Sequence, residues 1–208
     1  MKASVLMIAL LVPSVCLAWE HDKDRDGVTL SRQDSAHSSA DALKARVTIP
    51  RPVDDLANIL TDLSQHHYFV PHMKGIKVLR RSTDADGKVI SLLHQTTALP
   101  VISDRDVVIR TKTWREGSGK DVRWVSTFKA VEGEGPPVKE GIVRMPYMVG
   151  AWSIRSSKEG TSSVVTYMTT AEVGGLIPES IADLSKGDAL IDLLRNFRDY
   201  ATKKLPSP

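Results

Sequence analysis

The chain has 208 residues, 41% of them hydrophobic and 25% charged, with a formal net charge of +3. That is enough chain for one domain with its own core, and the charge is too weak and scattered to point to a nucleic-acid binder. A single cysteine, Cys16, excludes an intramolecular disulfide.

Residues 1–18 place Lys2 before an apolar stretch from Val5 to Val12, then Pro13 and a small residue, Ala18. This is the pattern of a secretory signal peptide cleaved between Ala18 and Trp19. A membrane anchor would need about 20 apolar residues, and Pro13 and Ser14 break the run too soon. Lipid modification of Cys16 is disfavoured by the bulk of Val15. Cleavage removes the only cysteine and lowers the formal charge from +3 to +2. The expectation is a secreted or periplasmic soluble domain over residues 19–208.

The next stretch, DKDRDGVTLSRQ from Asp22 to Gln33, has the opening of a calcium loop: Asp22, Asp24, Asp26 and Gly27 stand at the right spacing. Position 12 is Gln33, which cannot supply a bidentate carboxylate, and no room remains after cleavage for an entering helix. The stretch reads instead as a polar turn, with Asp22, Asp24 and Asp26 as turn residues and Val28 and Leu30 starting a strand.

Strands are predicted at Ala42–Ile49, Ile76–Thr83, Lys88–Thr96, Asp106–Trp114, Val122–Val131, Lys139–Arg155, with irregularity near Pro146 and Gly150, and Ser163–Val173. Asp84-Ala85-Asp86-Gly87, Gly117–Lys120 and Lys158–Thr161 supply turns between neighbours. Helical spacing appears over Pro52–Leu63, with Asp54 and Asp55 in the first turn. It appears again from about Pro178 to Lys204, where Leu190, Leu193, Leu194, Phe197, Tyr200 and Ala201 form an apolar stripe. The sum is an α+β architecture: an antiparallel sheet of about seven strands around a long C-terminal helix.

Sites of chemistry are sparse. His66, His67 and His72 are not aligned by any helix, since Pro71 intervenes, so a solvated loop is expected there rather than a metal centre. Ser103-Asp104-Arg105-Asp106 has no histidine at triad spacing. On Asp106–Trp114, Val107, Ile109, Thr111 and Thr113 share one uncharged face, either core or the wall of a binding cavity.

Several segments occur together in order: Trp19-Glu20, Asp26-Gly27-Val28 with Arg32, PVISDRDVVIR from Pro100 to Arg110, GIVRM from Gly141 to Met145, and GGLIPES from Gly174 to Ser180 before a terminal helix. This series resembles the START (steroidogenic acute regulatory protein-related lipid transfer) domain family; the S-D-R-D and G-G-x-I-P segments are the specific ones. The resemblance implies a helix-grip fold whose sheet and C-terminal helix enclose a tunnel for one lipid, with a lid made by that helix and the loop before Arg105. Implied lid residues are Leu99, Val101 and Ile102 with Ile181 and Leu184. Tunnel candidates are Val107, Ile109, Thr111, Trp124, Met145 and Tyr167. Arg105 and Asp106 would be structural anchors. Sterol carriers of the family place an acid and an arginine in the tunnel, at positions matching Gly75 and Thr111 here, so sterol recognition by that route is in doubt and other apolar ligands stay open.

The leading expectation is a monomeric lipid-binding protein without cofactor that touches membranes transiently. The alternative is a cyclase or hydrolase acting on a hydrophobic substrate in the same cavity, for which His94 and Tyr167 are the nameable groups. A calcium-dependent module is the third reading.

Overall fold

The computed structural model describes residues 18–98, 102–157, 160–176 and 187–204. Residues 1–17 of the expected leader, Leu99, Val101, Ile181, Leu184, the Lys158-Glu159 half of one expected turn and the first part of the expected C-terminal helix lie outside the described residues.

The strands are β1 (Glu20–Arg25), β2 (Val28–Gln33), β3 (Ala42–Ile49), β4 (Met73–Thr83), β5 (Val89–Thr97), β6 (Asp104–Glu116), β7 (Arg123–Ala130), β8 (Ile142–Arg144), β9 (Tyr147–Ser156) and β10 (Ser163–Glu172). They form one open sheet ordered β1-β2-β3-β10-β9-β7-β6-β5-β4, antiparallel throughout, with short β8 pairing parallel to β6. The sheet thus has ten strands among the described residues rather than about seven. The excess comes from residues 20–33, which make a complete hairpin, and from the Lys139–Arg155 stretch, which divides at Pro146 into β8 and β9 because proline cannot donate to a ladder.

That first hairpin also settles the geometry of DKDRDGVTLSRQ. Asp26 and Gly27 both have positive φ, 54° and 74°, the signature of a two-residue turn that matches strand twist. Asp22 and Asp24 are therefore strand residues, correcting their reading as turn residues. Their carboxylates are engaged, Asp22 by Arg32 at 2.8 Å and Asp24 by His21 at 2.9 Å.

Helix α1 (Val53–Thr61) starts after Pro52 and continues into a 3₁₀ segment, Leu63–Tyr68, capped by Asp62. Helix α2 (Asp188–Lys204) closes the described chain. The apolar stripe read from the sequence is the face that α2 buries: Ile191, Leu194, Phe197 and Ala201 are fully enclosed, packed over β2, β3 and β10. Against them lie Val28, Leu30, Ala45, Val47 and Ile49, alternate residues of β2 and β3, as the two-residue strand period requires. Phe69, on the turn after the 3₁₀ segment, meets Phe197 with ring centroids 5.0 Å apart. The hairpin grips the outer side of α2 through Lys23 and Arg25 on Asp188 and Arg195 on Asp26; partly exposed pairs like these contribute little each. Apolar burial by α2 holds the helix on the sheet. Phe197→Ala should cost about 3–5 kcal/mol, read as a lowered urea midpoint with an unchanged slope; a loss under 1 kcal/mol would show that α2 is not part of the cooperative core.

Candidate functional site

Among the described residues, the sheet's inner face is only partly covered. Between it, the α1–3₁₀ connection and Leu193 of α2 lies a cavity of about 400 Å³, within the size range of small-molecule sites. Each strand contributes alternate residues: Ile109, Thr111 and Thr113 from β6, Ser91, Leu93 and Gln95 from β5, Trp124, Ser126 and Phe128 from β7, Met148 and Trp152 from β9, and Tyr167 from β10. Register explains the grouping, since Ser91 stands opposite Thr111, and Thr113 opposite Ser126. The hydroxyls of the latter pair are 2.8 Å apart.

The deep end is aromatic. Trp152 and Tyr167 have ring centroids 4.4 Å apart, Phe128 and Tyr167 5.8 Å, and Trp124, Phe128 and Tyr167 are each at most 7% exposed. Gly150 faces Phe128 across the β7–β9 ladder, and a Cβ there would collide with the Phe128 ring and the Met168 carbonyl. The missing side chain makes room for the ring. Burial pushes the Tyr167 phenol up to about 12, so it is uncharged at neutral pH and donates or accepts only as a hydroxyl.

His66 is not in a solvated loop. It sits in the 3₁₀ segment, lines the cavity and has its Nε2 2.8 Å from the Leu60 carbonyl. Burial lowers its pKa, against the opposing effects of that hydrogen bond and of Asp62. His67 is exposed, as is His72. The local signal for a helical turn was masked by Pro71, which falls just after the segment ends.

The sequence candidates divide as follows. Ile109, Thr111, Trp124 and Tyr167 line the cavity. Val107 is 2% exposed in the apolar core cluster and does not line it. Met145 lines a different hollow with Val108 and Arg144, beyond the other face of β6. Ile102 is half-buried just before β6. Gly75, which the resemblance would put inside the tunnel, is exposed on β4. Phe128, Trp152, Ser91 and Leu93 escape a reading of isolated strands; aligning β5 and β7 on the alternation of β6 would have found three of them.

His94 lies on the opposite face from the cavity. Its Nε2 is 2.8 Å from Asp106, which also accepts from Arg144 Nε at 2.6 Å and Nη2 at 2.8 Å. Asp106 is 3% exposed. Its burial works to raise the carboxyl pKa, yet the hydrogen bonds and charges of Arg144 and His94 outweigh it and hold the pKa below the ordinary range. The adjacent Arg105, 2% exposed, turns the other way and donates to the carbonyls of Ser103, Val173 at 3.3 Å and Gly174 at 3.0 Å. Together the two residues tie the start of β6 to β8 and to the segment leaving β10. A carboxylate with a depressed folded pKa adds stability above its unfolded value of about 3.9 and loses it as pH falls through the folded value. Asp106→Asn should therefore cost about 3–5 kcal/mol at pH 7, with the gap in melting temperature narrowing toward pH 3; a gap independent of pH would show that the charge is not what matters.

The START domain model matches residues 10–199 of the chain. An uncharacterised protein of Pseudomonas aeruginosa is 25% identical over 186 residues, 89% of this chain and 88% of that protein. Among solved structures, a STAR-related lipid transfer protein from Xanthomonas axonopodis superposes with a TM-score of 0.74 at 22% identity, covering 88% of this chain and 98% of that one. Human StAR-related lipid transfer protein 5 does so with a TM-score of 0.77 at 16% identity, covering 89% and 87%. The open antiparallel sheet, its C-terminal helix and the cavity between them are thus the helix-grip arrangement, and the chain belongs to the START domain family.

Proposed function

We propose that the protein binds one hydrophobic molecule, a lipid, in the cavity and carries it between membranes as a monomer with transient membrane contact. The observation that supports this most directly is the aromatic-floored cavity under α1 and α2, with Trp124, Phe128, Trp152 and Tyr167 on its walls. Burying apolar ligand surface there is favourable by about 25 cal/mol per Å², which offsets removing the lipid from a bilayer. In this reading the lid is the segment through Leu99, Val101 and Ile102 with the chain around Ile181 and Leu184. Ile102 precedes Ser103, whose carbonyl accepts from Arg105, and Arg105 also holds Gly174. Both lid segments therefore leave from one anchor.

Binding is favoured over catalysis by the placement of the two groups nominated for chemistry. His94 is committed to Asp106 away from the cavity, and Tyr167 stays protonated deep among aromatic rings. The protein would act outside the cytoplasm after cleavage of residues 1–18.

Native mass spectrometry of the protein purified from cells should reveal one lipid mass per chain. Ser126→Trp, which sends an indole into the cavity, should reduce uptake of a fluorescent fatty probe at least tenfold while the chain stays folded by circular dichroism; undiminished uptake would place the site elsewhere. N-terminal sequencing of exported protein should begin at Trp19, and a retained Met1 would sink the leader.

A further inference from the structure

Which arginine of β4 meets the cavity is decided by a bulge. The β4–β5 ladder pairs Ile76 with Gln95 and Val78 with Leu93, both inner-face residues, then shifts register at Leu79, so that Arg80 falls opposite Leu92 and Arg81 opposite Ser91. The extra residue reverses the alternation beyond it. Arg81 lines the cavity, and Arg80 does not.

The two arginines also differ in their partners. Arg80 pairs with Glu134 at 2.8 Å, and Glu134 also takes Arg110, another residue off the cavity wall. Arg81 has no hydrogen-bonding or ion-pair partner among the described residues. The other ionisable groups on the wall leave its charge uncompensated at short range. Asp62 accepts from the Ser64 backbone at 3.1 Å and from the Ser64 hydroxyl and Gln65 amide at 2.5 Å each. His66 is bound to the Leu60 carbonyl.

Around Arg81 the wall is graded. Exposed lining residues, Thr61, Asp62, Ser64, Val78 and Arg81 itself, mark a mouth of the cavity, and Arg81 stands six register positions along the sheet from Arg105. Ser91 and Thr111 stand abreast of Arg81 across β5 and β6, and past them come the buried aromatic rings. Hydroxyls beside a guanidinium suit an oxyanion, which Arg binds by charge-assisted, two-pronged hydrogen bonds. The rings suit a hydrocarbon.

We infer that the cavity selects an amphiphile with an acidic head, a carboxylate or phosphate, held at the mouth by Arg81 with Ser91 and Thr111 beneath it and its chain directed toward Trp124 and Tyr167. The inference rests on the lipid-binding reading and adds the head group to it. The shifted register makes Arg81 the cationic reader of the ligand.

Oleate and oleyl alcohol share one chain and differ in the head, so they separate the two ideas. Titration of the delipidated full chain, followed by tryptophan emission, should give oleate at least tenfold tighter binding than the alcohol. Arg81→Gln should abolish that preference, leaving alcohol binding within twofold; Arg81→Lys should keep part of it; Arg110→Gln should change nothing. Hexadecyl phosphate should displace oleate, whereas inorganic phosphate at the same concentration should not. Equal binding of oleate and alcohol by the native chain, or an oleate preference that survives Arg81→Gln, overturns the inference and leaves lipid binding standing. Displacement by inorganic phosphate overturns it too, since an anion site without need of a chain would be present. Failure of both oleyl compounds to bind, with Ser126→Trp equally silent, overturns both readings.

Discussion

A long antiparallel sheet with one apolar face must have that face covered, and much of the molecule follows from how the described helices share this task. Helix α2 seals β2, β3 and β10 with Ile191, Leu194, Phe197 and Ala201, all fully buried. Helix α1 packs over β7 and β9. Between these two covers the inner residues of β5, β6 and β7 line an unfilled space. A filled interior at this point would be more stable, because close packing is what cores normally achieve; an unfilled one exchanges some of that stability for a place to put a guest.

The opposite side of β6 has a different task. Arg105 and Asp106 are adjacent and therefore point to opposite faces of the strand, each deeply buried and each fully engaged. One collects three carbonyls, those of Ser103 before β6 and of Val173 and Gly174 after β10, and the other binds Arg144 of β8 and His94 of β5. Removing two charges from water is costly, and the cost is offset here by multiple short hydrogen bonds. The arrangement ties the chain just before β6 to the chain just after β10. It also explains how His94 comes to meet Asp106: β5 runs beside β6, and His94 is at the register position that faces Asp106's side.

Local features made much of this readable. The β-branched runs, the Asp-Gly turns and the spacing of Leu194, Phe197 and Ala201 each express a constraint that acts within a few residues, and strands, turns and α2 stand close to where those constraints put them. The motif order from Trp19 to Ser180 located the family. Part of the cavity wall was equally accessible, since Ile109 and Thr111 follow from the period of a single strand. Val107 obeys the same period yet ends in the core, because position along the strand, which decides what lies above a residue, is invisible in its alternation.

Sequence by itself thus determined the alternation along β6, the apolar stripe of the helix that would cover the sheet and, through the family resemblance, Arg105 and Asp106 as anchors. It could not determine what depends on one strand's offset against another. The Asp22–Asp26 cluster needed β1 and β2 to pair before it became a hairpin rather than a loop, and His66 needed the α1 connection to fold over the sheet. Arg80 and Arg81 are adjacent and chemically identical; only the bulge at Leu79, formed against β5, sends one outward to Glu134 and the other to the cavity. A register shift of one residue exchanges the two faces of a strand, so the chemistry of this cavity was decided by tertiary pairing.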